Sequence, residues 1–354
     1  MRARVVITGV GVVSAAVTGD SAALGAFLAA PFAPTAGALG AGAVAALVDP
    51  GESRRLSRVC QFTIAAARLA LRESGLDPAA GLGLVVGTEF GDLASTHAFA
   101  DGFLARGPGG LSALLFPNTV MNTMVATTAI AVGARELALT LNAPTVAGEL
   151  AVARATAAVA SGRVPAVLAG GVDELDPVVE RELERFGFDA ERRSEGAAFL
   201  VLEPRMSAEA RGAPVLGEIS AAAWRALPAR PWGVGRSRRS PAIEAVLEAA
   251  GACAADLGWV YASGSCDDAR DRWEEQVLGA ALGSVAPVST LGRLLGRHAG
   301  LGVLRVAAGA WTARSGLLPA TDGATRVERV RPGRGLVHGL ARGGTHVALV
   351  VDAA

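Results

Sequence analysis

The chain contains no lysine. All 33 of its basic side chains are arginine, and they are balanced by 33 aspartates and glutamates. A net charge near zero gives no field that would gather a polyanion, which argues against nucleic acid and anionic membrane surfaces as partners. Cysteine is also scarce. Cys60, Cys253 and Cys266 are widely spaced and form neither a Cys-x-x-Cys pair nor a zinc-ligand pattern, so no disulfide framework and no metal site is expected. The opening Met1-Arg2-Ala3-Arg4-Val5 runs straight into a strand without the apolar core of a secretory signal, which places the chain in a reducing cytoplasm. The longest uncharged stretch, residues 21–48, is broken by proline and glycine and reads as unsuited to crossing a membrane.

What the chain has in abundance is Ala, Gly and Val, and one stretch organises them. Leu137-Ala138-Leu139-Thr140-Leu141-Asn142 reads as a strand that ends at Ala143-Pro144. A helix over residues 146–159 follows, with only Glu149 and Arg154 charged, and a helix apolar on nearly every side is a buried one. Thr145 stands at the turn between them. A helix N-terminus favours developing negative charge, so enzymes place nucleophiles there. A threonine hydroxyl attacks only when a neighbouring base takes its proton, and otherwise such a residue serves as a helix cap. The cap is the preferred reading.

The remaining elements fall into two similar series. Residues 4–9 and 84–88 read as buried strands, residues 53–74 as a helix with Val59, Phe62, Ala66, Leu69 and Ala70 on one face, and residues 166–171 and 195–203 as further strands. Residues 205–213 read as a surface connection. Beyond it come a helix (241–250), a strand (259–263), helices (267–282 and 296–315) and closing strands (335–340 and 346–352). Two βαβ-rich halves, 1–205 and 206–354, predict a duplicated α/β fold with a layered core. Residues 117–132, uncharged and rich in Asn and Thr, read either as a helix facing a partner subunit or as a core helix.

The pieces RVVITGVGVVS, FPNTVMNTMV, PTVAGELAVARA, VLAGGVDEL, SEGAAFLVLE and ARGGTHVALVV resemble, in this order and spacing, the ketoacyl synthase branch of the thiolase superfamily. The resemblance covers nearly the whole chain and implies a five-layer αβαβα thiolase-like fold of two repeats, working as a dimer. The family's chemistry needs an elbow cysteine and two histidines. Here the cysteine position falls on Thr145, the first histidine on Ser263 of Ser263-Gly264-Ser265, and the second on Arg297 of Gly296-Arg297. The family's lysine position falls on Gly292, and its loop phenylalanine on Ala341 or Arg342. One preorganised donor at an anionic transition state is worth roughly 2.7–4 kcal/mol, so losing two removes about four to six powers of ten in rate.

The Gly-Arg pairing resembles one branch, the chain length factor of type II polyketide synthases, a non-elongating subunit that pairs with an active ketosynthase. That resemblance implies a cytoplasmic heterodimer, an acyl carrier protein whose phosphopantetheine carries the chain, no bound cofactor and no metal. It implies degenerate positions Thr145, Ser263 and Arg297 in place of catalytic groups. It also implies that this chain ends the acyl tunnel with Phe116, Met121 and Met124, flanked by Thr119 and Thr123, although the same side chains could simply fill the subunit interface. Arg297, if buried, needs a carboxylate such as Asp271 or Glu274. His298 stands one residue from the expected histidine, a step of about 100° around a helix. His97, His338 and His346 read as surface or loop residues. A different class of reading, a self-sufficient acyltransferase using Thr145 or His298, predicts acylation of Thr145 by a carrier protein.

Overall fold

The computed structural model describes residues 3–32, 37–40, 42–187, 193–264, 267–283, 286–320 and 326–354. Met1, Arg2, Ser265 and Cys266 lie outside them. Ten strands form two sets of five. The first set is β1 (Val5–Ser14), β2 (Leu82–Thr88), β3 (Ala138–Asn142), β4 (Ala166–Asp173) and β5 (Gly196–Pro204), side by side in the order β3-β2-β4-β5-β1. The second is β6 (Gly217–Ala226), β7 (Val260–Tyr261), β8 (Val288–Ser289), β9 (Gly335–Leu340) and β10 (Thr345–Asp352), in the order β8-β7-β9-β10-β6. Each set therefore reads third, second, fourth, fifth, first. The senses match as well, with parallel pairs on the outer side and antiparallel pairs at the fourth and fifth strands. The duplication expected from the sequence is thus present in topology. One continuous sheet results, because β1 and β6 are spliced antiparallel through Val5–Ile219, Val6–Glu218 and Ile7–Gly217.

Nine helices of eight residues or more are described: α1 (Ser21–Ala29), α2 (Arg58–Ser74), α3 (Leu93–Arg106), α4 (Thr123–Val132), α5 (Ala147–Ala160), α6 (Pro177–Arg185), α7 (Pro241–Ala249), α8 (Asp268–Leu282) and α9 (Gly300–Ser315). The stripe Val59, Phe62, Ala66, Leu69 and Ala70 turns α2 onto β1 and β5, beside α4, and left-handed Gly75 ends the helix. α7 and α8 cover the outer face of the second set. Between the two sets lie α5 and α9, each packed on strands of both. Helices, strands, helices, strands, helices make five layers, and the largest apolar cluster fills the middle.

The apolar composition of α5 predicts that central place, and 10 of its residues are buried. The helices approach closely at glycines: a Cβ on Gly148 would stand 2.2 Å from the Ala299 carbonyl oxygen. The charged exception inside is Glu149, fully buried and paired with Arg305 of α9. Burial pushes the Arg305 guanidinium down to about 9.

Three expectations need correction. The helix expected from 296 begins at Gly300, because Gly296 turns with φ 70° and Arg297 makes a strand-like bridge to Arg193. Only Thr123–Val132 of the segment 117–132 is α-helical; a short 3-10 turn, Phe116–Thr119, precedes it. His338 and His346 are not surface residues but sit on β9 and β10, both at 0 % exposure, because helices or strands cover each face of that sheet. Among the described residues no helix is long and apolar enough to cross a membrane, and no group of His, Cys, Asp and Glu could hold a metal ion.

Candidate active site

The elbow is built by a turn tighter than a helix start. Val146 N–H donates to the Pro144 carbonyl at 2.7 Å, closing a γ-turn centred on Thr145, whose φ is 68°. For a β-branched residue that conformation is an outlier and costs about 1–3 kcal/mol. It persists because both sides are pinned. On the strand side, the Asn142 amide donates to the carbonyls of Thr88 (3.2 Å) and Glu89 (2.7 Å). On the other side α5 locks into the middle layer. Thr145 is not the helix cap that the sequence favoured. The cap is Val146, with no side-chain cap bond, and the Thr145 hydroxyl faces the interior of the site.

What it faces is charge. The Arg297 Nη2 donates to Thr145 Oγ1 at 3.1 Å and to Glu89 Oε1 at 2.5 Å. The Thr145 N–H donates to the same Glu89 oxygen, and Arg193 Nη2 reaches Glu89 Oε2 at 3.4 Å. Arg193 also stacks its guanidinium 4.8 Å from the Phe90 ring centroid. Burial raises the Glu89 pKa, but Arg297, Arg193 and the Thr145 N–H outweigh it, so the carboxylate ionises below its ordinary value. Arg297 therefore pairs with Glu89, not with Asp271 or Glu274. Those two are engaged elsewhere: Asp271 with Arg270 at 2.8 Å, Glu274 with Ser263 and His338.

Asp173, at the end of β4, fixes the loop carrying Glu89. Its Oδ1 accepts from Thr88 Oγ1 (2.8 Å) and Glu89 N–H (2.9 Å), and its Oδ2 accepts from Ala299 N–H (2.7 Å). Burial and then the Glu89 charge raise its pKa to about 6. His298 is buried against Gly196 and Gly300 and makes no hydrogen bond with Thr145. Burial and then the Arg193 charge hold its pKa down at about 4, so the ring is neutral near pH 7.

Ser263 lies in a separate network beneath the site. Its N–H and hydroxyl donate to Glu274, at 3.0–3.1 Å, and its hydroxyl accepts from Leu340 N–H at 2.8 Å. His338 Nδ1 completes the shell of Glu274 at 2.7 Å, with the His346 ring centroid 6.0 Å away. Arg342 grips Asp267 through two bonds of 2.6 and 2.7 Å and donates to the Trp232 carbonyl at 3.1 Å, closing the mouth of the site. The space left beside Thr145 is about 20 Å³, roughly one water molecule.

The structure thus brings Thr145 and Arg297 together and keeps Ser263 apart from them. Of the expected tunnel residues, Met124 and Thr123 are buried, whereas Phe116 and Met121 are exposed. Phe116 leans on Phe99 with ring centroids 6.0 Å apart. Thr119 donates to the Phe116 carbonyl, and Thr123 donates to Asn118. Met121 packs against Gly91, directly after the Glu89-Phe90 loop. Sequence reasoning missed Glu89 and Arg193. Neither belongs to the family pieces matched above; Glu89, one residue past a buried strand, reads as an ordinary turn carboxylate.

Comparison with known proteins agrees with this architecture. Residues 43–208 match the family model "Beta-ketoacyl synthase, N-terminal domain". The chain is 30% identical over 308 residues to the actinorhodin polyketide beta-ketoacyl synthase 1 of Streptomyces coelicolor, covering 77% of this chain and 66% of that one. It is 28% identical over 371 aligned positions to the granaticin polyketide beta-ketoacyl synthase 1 of Streptomyces violaceoruber, covering 91% and 88%. The fold superposes on the ishigamide ketosynthase/chain length factor with a TM-score of 0.87 at 22% identity, over 100% of both chains. It also superposes on a beta-ketoacyl synthase from Burkholderia phymatum with a TM-score of 0.80 at 22% identity, again over 100% of both. The chain belongs to the beta-ketoacyl synthase family, as a ketosynthase-family protein of the type II polyketide synthase kind.

Proposed function

We propose that this chain is a chain length factor, a subunit that does not elongate and that pairs in the cytoplasm with an active ketosynthase to end its acyl tunnel. The observation that carries the reading is the state of the elbow. The Thr145 hydroxyl accepts from a guanidinium, which holds its proton at every accessible pH and cannot serve as a base. The nearest carboxylate, Glu89, is held ionised by two arginines, which makes it a weak base. Ser263 supports a buried carboxylate instead of an enolate. The acyltransferase reading therefore has no strong base beside the Thr145 hydroxyl: Glu89 is a weak one, and burial holds His298 down at about 4.

Pairing is supported by the surface. Leu104, Leu114, Phe116 and Ile130 are exposed at 79, 89, 60 and 85 %, all within the segment that includes the expected tunnel wall. Several large apolar side chains left exposed within one segment support an interaction surface there. Among the proteins of like fold is a type II ketosynthase solved with its acyl-carrier protein, with a TM-score of 0.82 at 18% identity. The proposed substrate is accordingly an acyl chain on the phosphopantetheine of such a carrier, delivered to the partner's cysteine.

Co-expression with the active ketosynthase and native mass spectrometry test the pairing; a one-to-one complex is expected. In a carrier-protein elongation assay Thr145→Ala leaves elongation intact, and Phe116→Ala or Met121→Ala shifts product length. Absence of a complex, or elongation abolished by Thr145→Ala, would sink the proposal. Unchanged product length in both tunnel variants would reduce the chain to a scaffold.

A further inference from the structure

We infer that the elbow is a carboxylate receptor and that Glu89 is its built-in ligand, an internal carboxylate seated where an external one would bind. Three donors converge on it from different parts of the fold. The Thr145 N–H points out of the strained turn ahead of α5, Arg297 arrives from the segment before α9, and Arg193 arrives from the segment before β5. The N-terminus of α5 adds a partial positive charge and has no side chain of its own capping it.

The receptor does not depend on Glu89 for its frame. The turn is closed by Val146 N–H to the Pro144 carbonyl. The two arginine-bearing segments are tied to each other by the Arg193–Arg297 bridge and by Ser194 N–H donating to the Arg297 carbonyl at 3.0 Å. Gly296 permits this approach, since a Cβ there would stand 2.4 Å from Ser194 Cβ. Glu89 enters from a third element, the loop after β2, 56 residues from Thr145 and 208 from Arg297. Its side chain can therefore be removed while the donors stay in place.

The chemistry of that removal defines the ligand. Truncating glutamate to alanine deletes the atoms of one acetate, –CH2–COO⁻, from a site with about 20 Å³ of spare room. Two guanidiniums and the Thr145 N–H then lose the acceptor they share, and removing one partner from a buried ionic cluster is strongly unfavourable. A small carboxylate restores both the charge and the hydrogen bonds. In the native chain the same donors are closed to an external carboxylate for as long as Glu89 is seated. This inference concerns the single chain and does not require the pairing proposed above.

The test is chemical rescue on the full chain, read by thermal unfolding and by calorimetry, with sodium acetate as probe and sodium chloride at matched ionic strength as control. Glu89→Ala is expected to bind acetate saturably, with Tm rising by a few degrees at concentrations well above Kd. Wild type and the isosteric Glu89→Gln are expected to respond no more to acetate than to chloride. Adding Arg297→Gln to Glu89→Ala abolishes the response. If Glu89→Ala does not fold in chloride, recovery of the fold in acetate alone supports the inference, and failure in both salts overturns it. Equal effects of acetate and chloride on Glu89→Ala, or an equal acetate response in wild type, also overturn it. None of these outcomes bears on whether a ketosynthase partner binds.

Discussion

Two buried polar clusters stand at the positions to which the sequence resemblance assigns the family's reactive groups, and they are held together in different ways. The elbow cluster of Glu89, Arg193, Arg297 and Thr145 is ionic and is held shut by its charges. The Ser263 cluster is a hydrogen-bond shell in which one serine and one histidine complete the coordination of Glu274. The first is stable only while opposite charges face each other. The second is stable because nearly every lone pair of one carboxylate is occupied. A buried carboxylate therefore has two solutions, neutralisation by a counter-charge or absorption into a hydrogen-bond network, and one chain uses both.

The sharpest way to break the comparison is Arg297→Ala, which leaves Glu89 buried with reduced compensation. Removing one partner of a buried ion pair costs about 3–5 kcal/mol, so urea unfolding should lose that much. Ser263→Ala removes a hydroxyl that bridges Glu274 and Leu340 N–H, and the expected loss is about 1–3 kcal/mol. A loss in Ser263→Ala as large as that in Arg297→Ala would show that the two clusters do not differ as described. A smaller effect separates strain from charge. Because Thr145 holds φ 68°, Thr145→Gly should be more stable than Thr145→Ala by about 1 kcal/mol, although both lose the same hydroxyl. Equal stabilities would mean that the turn relaxes on substitution.

A further effect is in pH dependence. One histidine accompanies each cluster, and burial holds both His298 and His346 down at about 4. Folded values below the unfolded 6.5 mean that the unfolded chain takes up the protons first. Their contribution is complete above pH 6.5 and is lost as pH falls toward 4. At the elbow Asp173, raised to about 6, acts in the opposite sense, since its folded state gains protons between 6 and the ordinary 3.8. In the sum over the whole chain Asp173 offsets part of the histidine contribution across pH 4–6. His346→Gln and His298→Gln should each flatten the acid side of the stability–pH curve by a similar amount, as measured by urea midpoints from pH 4 to 7; an unchanged slope in either would show that its ring does not titrate as described.

The elbow was legible in the sequence because its parts are local: a strand ending in Asn-Ala-Pro, one hydroxyl, and a helix apolar on every side. The layered duplication was legible through the same periodicities. The contents of the site were not. Glu89 lies 208 residues from Arg297, and no local pattern marks a turn glutamate as buried. Asp271 and Glu274 looked like suitable partners for Arg297, but Arg270, Ser263 and His338 already occupy them. His338 and His346 looked exposed because a polar residue within a short strand reads as facing water, a rule that fails where both faces of a sheet are covered.

The Glu149–Arg305 pair sets an order on synthesis. The two residues are 156 positions apart, and the ribosome adds about 5–20 residues per second, so Glu149 waits on the order of ten seconds or more for its counter-ion. Until then the side chain that α5 would carry into the interior has no counter-ion. Before Arg305 is made, α5 can be buried only with the Glu149 carboxyl protonated or unpaired, so the middle layer gains its full stability only once both halves of the chain exist.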